Sequence, residues 1–193
     1  TSMDAYADEV VGTLDGLDAK DADIAGMSMG GYVALAVLRR HPEKVRSLIL
    51  IDTQPAGDPE EAKPGREKTA EKAQANGTIA LEEDLFPKLF SPKTDDSVKE
   101  RIREMMRNTP DDTAAQDALA MRDRVDSTTA LSLAEVPVLV IHGKDDMLMP
   151  VEGAREWSSK VPGAEWVEIP DAGHVGPMEN PEAVNQAIRN FLS

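Results

Sequence analysis

The chain begins with a periodic apolar pattern. Apolar side chains recur at Tyr6, Val10, Leu14 and Leu17, at spacings of four, four and three. Helical residues three and four positions apart lie on one face, so the pattern predicts a helix over residues 2–17 with these four side chains on the same face. Ser2 is a suitable N-cap, because its hydroxyl can accept a hydrogen bond from a free N–H of the first turn.

Short apolar runs then alternate with helical patterns. Residues 22–27 predict a strand that ends in a glycine-rich turn, and residues 28–40 predict a helix that is apolar nearly all round and therefore buried. The run at 45–52 is apolar on consecutive positions, as is the run at 136–142. Such runs are typical of strands that are covered on both faces, as in a parallel sheet flanked by helices.

The end of the chain continues this alternation. Residues 164–170 predict a third, weaker strand of this kind, between helices predicted at 150–160 and 181–192. Asn180 is the expected cap of the last helix and Pro181 its first residue. Strands alternating with helices of about a dozen residues predict an α/β fold with a mostly parallel sheet flanked by helices.

The alternation stops between the second and third strands. Residues 55–65 are rich in Pro, Gly and acidic residues and predict a loop. Residues 66–127 then contain only helical patterns, at 67–75, 78–90, 95–107 and 113–125, and the whole block spans residues 54–133. We interpret them as a helical cap inserted into an α/β core formed by residues 1–53 and 134–193. A helical bundle that contributes only to stability is the alternative interpretation.

Composition narrows the possible partners and chemistries. With 21 Lys and Arg against 36 Asp and Glu, the net charge of −15 argues against nucleic acid or an anionic membrane as a partner. The absence of Cys excludes disulfides and thiolate chemistry. No signal peptide is recognisable, so cytoplasm is the default compartment, although a chain that opens on Thr1 makes this absence weak evidence.

The candidate nucleophile is Ser28, in the sequence Gly26-Met27-Ser28-Met29-Gly30 between a predicted strand and a predicted buried helix. Small residues suit a tight strand-to-helix turn, because the flanking backbones approach each other closely. Such a turn would raise the serine hydroxyl above the sheet. The Met29 N–H, at the helix N-terminus, would then favour a negative oxygen on a substrate carbonyl.

A serine hydroxyl needs a general base, and the chain has three histidines. His41 precedes a proline at the end of a helix, so we expect a structural role for it. His142 ends a strand and is expected to be a hydrogen-bonded core residue. His174 follows the last strand, in a loop that reaches the ligand-binding end of a parallel sheet, and is the preferred base.

A carboxylate must orient that base. Asp145 and Asp146 follow the strand at 136–142, and Asp52 follows the strand at 45–52. All three lie at the same end of the sheet, and the residues alone leave the choice open. For Asp52 we also expect a local role, in which its side chain accepts hydrogen bonds from nearby backbone N–H groups.

Together these motifs make the chain resemble the α/β-hydrolase fold superfamily, in its capped branch of esterases, lactonases and related serine hydrolases. The order Ser28, Asp146, His174 matches its nucleophile–acid–base order. The spacing of Gly143, Asp146 and Pro150 matches the family pattern G-x-x-D-x-x-x-P and selects Asp146 over Asp145. Gly173-His174 and the following Glu179-Asn180-Pro181 also match that family.

The resemblance implies a serine hydrolase that cleaves a small carboxylic ester or lactone with Ser28 as nucleophile, His174 as base and Asp146 as acid. Met29 would supply one oxyanion-hole N–H, and no cofactor or metal is implied. Carbon–carbon bond hydrolases and cofactor-free haloperoxidases share this triad and stay open. The alternative is a non-catalytic small-molecule-binding module or an inactive fragment of a longer hydrolase.

The sequence departs from the superfamily at its start. Four strands and a helix, roughly 60 residues, normally precede the nucleophile segment and provide the second oxyanion donor. Without them the strand at 22–27 would be an edge with unpaired backbone groups. We therefore expect a fragment, a split protein with a second chain, or a homodimer that completes its sheet.

Overall fold

A computed structural model describes residues 1–193, and a four-stranded parallel sheet lies at its centre. The strands lie side by side in chain order: β1 Ala22–Met27, β2 Val45–Ile51, β3 Val138–Gly143 and β4 Glu165–Ile169. The runs that predicted β2 and β3 occupy the two central positions and are almost entirely buried. The predicted α/β class with a mostly parallel sheet is confirmed.

Ten α-helices accompany the sheet. They are α1 Met3–Gly16, α2 Met29–Arg40, α3 Lys63–Asn76, α4 Ile79–Leu85, α5 Asp96–Asn108, α6 Asp111–Arg122, α7 Thr128–Ser132, α8 Val151–Ser158, α9 Gly176–Glu179 and α10 Pro181–Phe191. Ser2 and Asn180 cap α1 and α10 as predicted, each accepting a hydrogen bond from the third residue after it. No helix combines the length and apolar character that a membrane crossing requires.

The pleat of the strands divides the core into two layers. Leu48 and Leu50 of β2 pack with α1 and α2, whereas Ile49 and Ile51 pack with α10. Successive side chains of a strand point to opposite faces, so a continuous apolar run can serve both layers. This is why the central strands show no alternation of polar and apolar residues.

The apolar face predicted for α1 packs against the core only in part, through Tyr6 and Val10. Met3, Ala7 and Val11 are buried in the core, whereas Leu17 is 72% exposed. These three side chains also have helical spacing, and the small Ala7 suits the packing of α1 against α2. Tyr6 is only partly buried, and its hydroxyl donates to Asp117 of α6 at 2.6 Å.

Five helices, α3–α7, separate β2 from β3. Their own core is small and rich in alanine, consisting of Ala70, Ala73, Leu81, Ala115 and Ala118. The single helix predicted over 78–90 is divided, because Pro87 lies in a 3₁₀ turn that follows α4. The division into a core and a cap at residues 54 and 133 stays a prediction.

The strand β1 is an edge of the sheet. Its residues pair with β2 on one side only. Beside it, between α1 and α2, lies a cavity of about 590 Å³ whose walls are mostly apolar and include Tyr6, Val10, Ile24 and Val33. Free N–H and C=O groups next to an apolar groove are the features that favour pairing with another strand.

We therefore expect purified residues 1–193 to associate through β1. Light scattering after size exclusion should give a mass above the 20.9 kDa of one chain. Ala25→Lys is the matched variant, because Ala25 is an exposed β1 residue in the wall of the cavity and lysine on an edge strand opposes pairing. It should lower the association, whereas a stable, folded monomer of the unmodified chain would contradict this prediction.

Candidate active site

Ser28 lies in the turn between β1 and α2 with a strained backbone. Its φ of 50° and ψ of −117° are rare for a residue with a side chain. Two hydrogen bonds from neighbouring segments hold it there. The Ser28 N–H donates to the Ile51 carbonyl at 2.9 Å, and the Thr53 hydroxyl donates to the Ser28 carbonyl at 2.8 Å. The end of β2 therefore holds the turn in place.

The glycines of this turn differ in the space that a side chain would have at each position. A Cβ on Gly26 would lie 2.2 Å from the Gly30 carbonyl oxygen, so the expected close approach of backbones occurs there. A Cβ on Gly30 itself would have no neighbouring atom within 4 Å, so no close approach of the backbone requires a glycine at that position. Gly31 is the second position in this turn where a side chain would clash, since a Cβ there would lie 2.4 Å from the Thr53 hydroxyl.

His174 connects the serine to a carboxylate. It lies in the loop after β4 and is 3% exposed. Its Nε2 is 2.8 Å from the Ser28 Oγ, and its Nδ1 is 2.8 Å from Asp146 Oδ2. The structure thus brings the three residues selected from the sequence into one hydrogen-bonded line.

Asp146 is held by its own loop. Its Oδ1 accepts hydrogen bonds from the Leu148 and Met149 N–H groups, both at 2.8 Å, which leaves Oδ2 facing His174. Burial favours a higher pKa for Asp146, but the neighbouring imidazoles of His142 and His174 outweigh it and lower the pKa to about 2. Asp146 is therefore ionised at neutral pH.

The neighbouring candidate, Asp145, faces elsewhere. Its Oδ2 accepts a hydrogen bond from the Ser91 hydroxyl at 2.6 Å, across to the segment before α5. Of the three candidate carboxylates, only Asp146 is hydrogen-bonded to His174. The geometry of this loop thus agrees with the choice of Asp146 that the family resemblance implied.

His142 and Asp52 form a buried layer beneath this line. His142 Nε2 lies 2.7 Å from the Met149 carbonyl, but Nδ1 has no partner, so the expected core histidine is only half satisfied. Asp52 does not cap its own loop as expected. It accepts the Gly143 N–H of the adjacent strand at 2.7 Å, and its Oδ2 is unpaired.

The buried pair of His142 and Asp52 was not predicted, although their positions in the sequence indicate it. Asp52 follows β2 and His142 lies near the end of β3, and parallel strands end at the same edge. Burial raises the pKa of Asp52 to about 6, against the lowering influence of the Gly143 N–H and of His142. Asp52 therefore titrates close to neutral pH beneath the site.

The same layer offers donor atoms to a metal. One donor atom from each of Asp52, His142 and Asp146 lies within 4.8 Å of the others. Both oxygens of Asp146, however, are already engaged by N–H groups and by His174. A metal would have to displace those bonds, so the donor set fits an ion poorly.

The N-terminus of α2 provides one backbone donor beside Ser28. Met29 is the first residue of α2, so its N–H has no acceptor within the helix. The 590 Å³ cavity next to β1 reaches this turn at Met29 and Gly30 but is not lined by Ser28. Its position marks a groove along the sheet edge rather than a pocket above the serine.

Comparison with known proteins gives this geometry a family context. The sequence profile of the alpha/beta hydrolase fold matches residues 1–181. A thermophilic esterase from Thermogutta terrifontis, solved with malate bound, superimposes with a TM-score of 0.96 at 37% identity, covering 100% of this chain and 72% of that one. The enol-lactonase from Burkholderia xenovorans LB400 gives a TM-score of 0.88 at 27% identity, covering 100% of this chain and 73% of that one.

A curated relative differs in its length. The chain is 34% identical over 194 residues to the dihydrolipoyllysine-residue acetyltransferase component of an acetoin cleaving system from Pseudomonas putida. The match covers 98% of this chain and 50% of that protein. The chain therefore spans about half the length of this relative.

The glycine turn yields a stability prediction with an internal control. Gly26→Ala should lower the free energy of unfolding by about 3 kcal/mol, because its Cβ would meet backbone that cannot move freely. Gly30→Ala should leave it unchanged or raise it by up to about 1 kcal/mol, since the helical site is open. Urea unfolding followed by circular dichroism compares the two. Equal losses would show that the turn does not depend on the close approach at Gly26.

Asp52 yields a pH prediction. Folded Asp52 keeps its proton up to about pH 6, whereas in the unfolded chain it loses it near its ordinary pKa of 3.8. Raising the pH through this window therefore favours unfolding, by on the order of 3 kcal/mol for a pKa that rises from 3.8 in the unfolded chain to about 6 in the folded one. Asp52→Asn does not titrate and keeps an acceptor for the Gly143 N–H.

The stability of this variant relative to the unmodified chain should accordingly increase between about pH 4 and about pH 7. Urea unfolding at both values measures the change. The side chains that face Asp52 are His142, His174 and Asp146, and they are the same in both proteins. A difference that stays constant or shrinks with pH would show that Asp52 is already ionised at the lower value.

Proposed function

Because the chain belongs to the α/β-hydrolase fold family, we propose that it is a serine hydrolase that cleaves a small carboxylic ester or lactone through an acyl-enzyme. The observation that carries the proposal is the line of two 2.8 Å contacts from Ser28 Oγ through His174 to Asp146. A hydroxyl, an imidazole and a carboxylate in this order form an activated nucleophile.

In the first half-reaction, Ser28 Oγ attacks the carbonyl carbon of the substrate while its proton passes to His174 Nε2. The carbonyl oxygen becomes an oxyanion, and the Met29 N–H at the start of α2 is the donor assigned to it. The tetrahedral intermediate then collapses. The bond to the leaving oxygen breaks, and that oxygen takes the proton from His174 and departs as the alcohol.

In the second half-reaction, water replaces the alcohol. His174 takes a proton from the water as the water oxygen attacks the acyl carbon. It then returns that proton to Ser28 Oγ as the carboxylic acid product leaves. Asp146, ionised because its pKa lies at about 2, holds the Nδ1–H tautomer and stabilises the imidazolium that forms in each half-reaction.

The substrate class is supported by the named relatives. One similar structure is an esterase at 37% identity and another an enol-lactonase at 27% identity, and both reactions cleave an acyl–oxygen bond. Ser28 provides the oxygen nucleophile that an acyl-enzyme requires. The inserted helices α3–α7 would cover the site and limit the size of the acyl group.

The test is labelling with a fluorophosphonate, followed by intact-mass analysis of every chain in the sample. We expect one adduct on the 20.9 kDa chain, and none on Ser28→Ala. Ser159→Ala is the matched control, because Ser159 is exposed and its hydroxyl donates only to the Glu156 carbonyl. Hydrolysis of p-nitrophenyl acetate should fall by roughly 10⁴-fold or more in Ser28→Ala and stay unchanged in the control.

Two results would overturn this proposal. If Ser28→Ala kept the label and the ester hydrolysis, another residue would be the nucleophile. If the folded, unmodified chain took no label, the triad would be idle in residues 1–193, and a binding module would be the better description. A second, unlabelled chain in the spectrum would identify a co-purifying partner.

A further inference from the structure

Glu179 is a carboxylate outside the proposed triad whose two oxygens accept four hydrogen bonds. It is the last residue of α9, and no lysine, arginine or histidine forms an ion pair with it. Its Oε2 accepts the backbone N–H groups of Gly173 at 2.7 Å and Val175 at 3.2 Å. These two residues flank His174, so one oxygen of Glu179 holds the backbone on both sides of the base.

The other oxygen holds a distant part of the chain. Oε1 accepts the Ser91 N–H at 2.7 Å and a hydrogen bond from the Thr94 hydroxyl. Ser91 and Thr94 are both buried, and both belong to residues 89–94, which connect α4 and its 3₁₀ turn to α5. We call residues 89–94 the linking segment.

The linking segment also touches the histidine loop directly. The His174 N–H donates to the Leu89 carbonyl at 2.8 Å. A Cβ on Gly173 would lie 2.7 Å from that same carbonyl oxygen, so the two backbones are in close contact. Ser91, through its 2.6 Å hydrogen bond to Asp145, further connects the segment to the loop that carries Asp146.

We propose that Glu179 is a positioning residue that ties the linking segment to the backbone on either side of His174, so that the position of the inserted helices controls the aim of Nε2 at Ser28. The proposal rests on the proposed function, since it gives His174 a catalytic role. A carboxylate can accept about four hydrogen bonds, and here every one of them is used to join these two segments. Bonds from N–H and O–H groups to an ionised oxygen are stronger and shorter than neutral ones, which suits a rigid tie.

An amide cannot replace both oxygens of the Glu179 carboxylate, because only one of its two terminal groups accepts hydrogen bonds. In Glu179→Gln the remaining oxygen can still accept from Gly173 and Val175, while the new NH₂ group can donate to the Thr94 hydroxyl but faces the Ser91 N–H, donor against donor. Glu179→Ala loses all four bonds. The proposal therefore predicts a graded series, with the alanine variant most affected and the glutamine variant partly rescued.

The first measurement does not depend on activity. Hydrogen exchange resolved by NMR should show faster exchange of the Gly173 and Val175 amides together with that of Ser91 in Glu179→Ala. Glu182→Ala is the matched control, because Glu182 is exposed, lies three residues away and removes the same charge. Thr94→Val removes one donor at the far end of the tie, and the Gly173 and Val175 amides should exchange faster in this variant too.

The second measurement is steady-state ester hydrolysis by the folded variants. A misaimed base should lower kcat by roughly 10²-fold in Glu179→Ala with little change in KM, because the loss lies in the transition state. Thr94→Val should show a smaller loss of the same kind, and Glu182→Ala none. A residue that acts only on stability would lower the unfolding midpoint and leave kcat of the folded enzyme unchanged.

The outcomes separate the two proposals. If the unmodified chain neither labels nor hydrolyses ester, the proposed function fails, and the exchange data still decide whether Glu179 ties the two segments. If exchange rises at Gly173 and Val175 but not at Ser91, or if Thr94→Val leaves Gly173 and Val175 unaffected, the tie is overturned. If Glu179→Ala keeps its kcat within about twofold, the positioning role is overturned.

Discussion

The ends of the four parallel strands lie at one level, and every feature of the site depends on this. In the strand register, Met27 of β1 lies opposite Ile51 of β2. Ile51 in turn lies opposite Ile141 of β3, next to the pair Leu50–Val140, so the residues that follow these positions leave the sheet at the same edge. Ser28 follows β1, Asp52 follows β2, and Asp146 follows β3. Asp52 therefore lies between the other two by topology, and His174 spans the distance from Ser28 to Asp146 across the end of β2. Pairing that shifted by one residue would turn the strand faces over and separate the groups.

Two buried aspartates in this site show how partners outweigh burial. Asp146 and Asp52 are both almost fully buried, yet burial leaves Asp52 with a pKa of about 6 while Asp146 falls to about 2. Asp146 accepts two backbone N–H groups and lies beside two imidazoles, whereas Asp52 accepts one N–H and has an unpaired oxygen. A buried charge is stable only where donors replace the lost water, so the fold keeps the charge on the carboxylate that faces His174.

Features that depend on the local pattern of residues were predicted from the sequence. Features that depend on contacts between distant parts of the chain were not. The apolar runs located the two central strands, β2 and β3, because such runs are typical of strands covered on both faces. The predicted face of α1 was incomplete, because Met3, Ala7 and Val11 also have helical spacing and their burial depends on contact with the rest of the core. The break at Pro87 was readable but missed. The bond between Ser91 and Glu179 spans 88 positions, and no local signal in the chain announces such a pair.

The link through Glu179 bears on how the chain divides into parts. By chain order the helices between β2 and β3 are an insertion, and the predicted boundaries at 54 and 133 follow that order. By hydrogen bonding, however, the Leu89 carbonyl accepts the His174 N–H, and Glu179 joins Ser91 to the loop around it. Movement of residues 89–94 away from the core would break these bonds. By its hydrogen bonds, the linking segment therefore belongs with the loop around His174, although chain order places it inside the insertion.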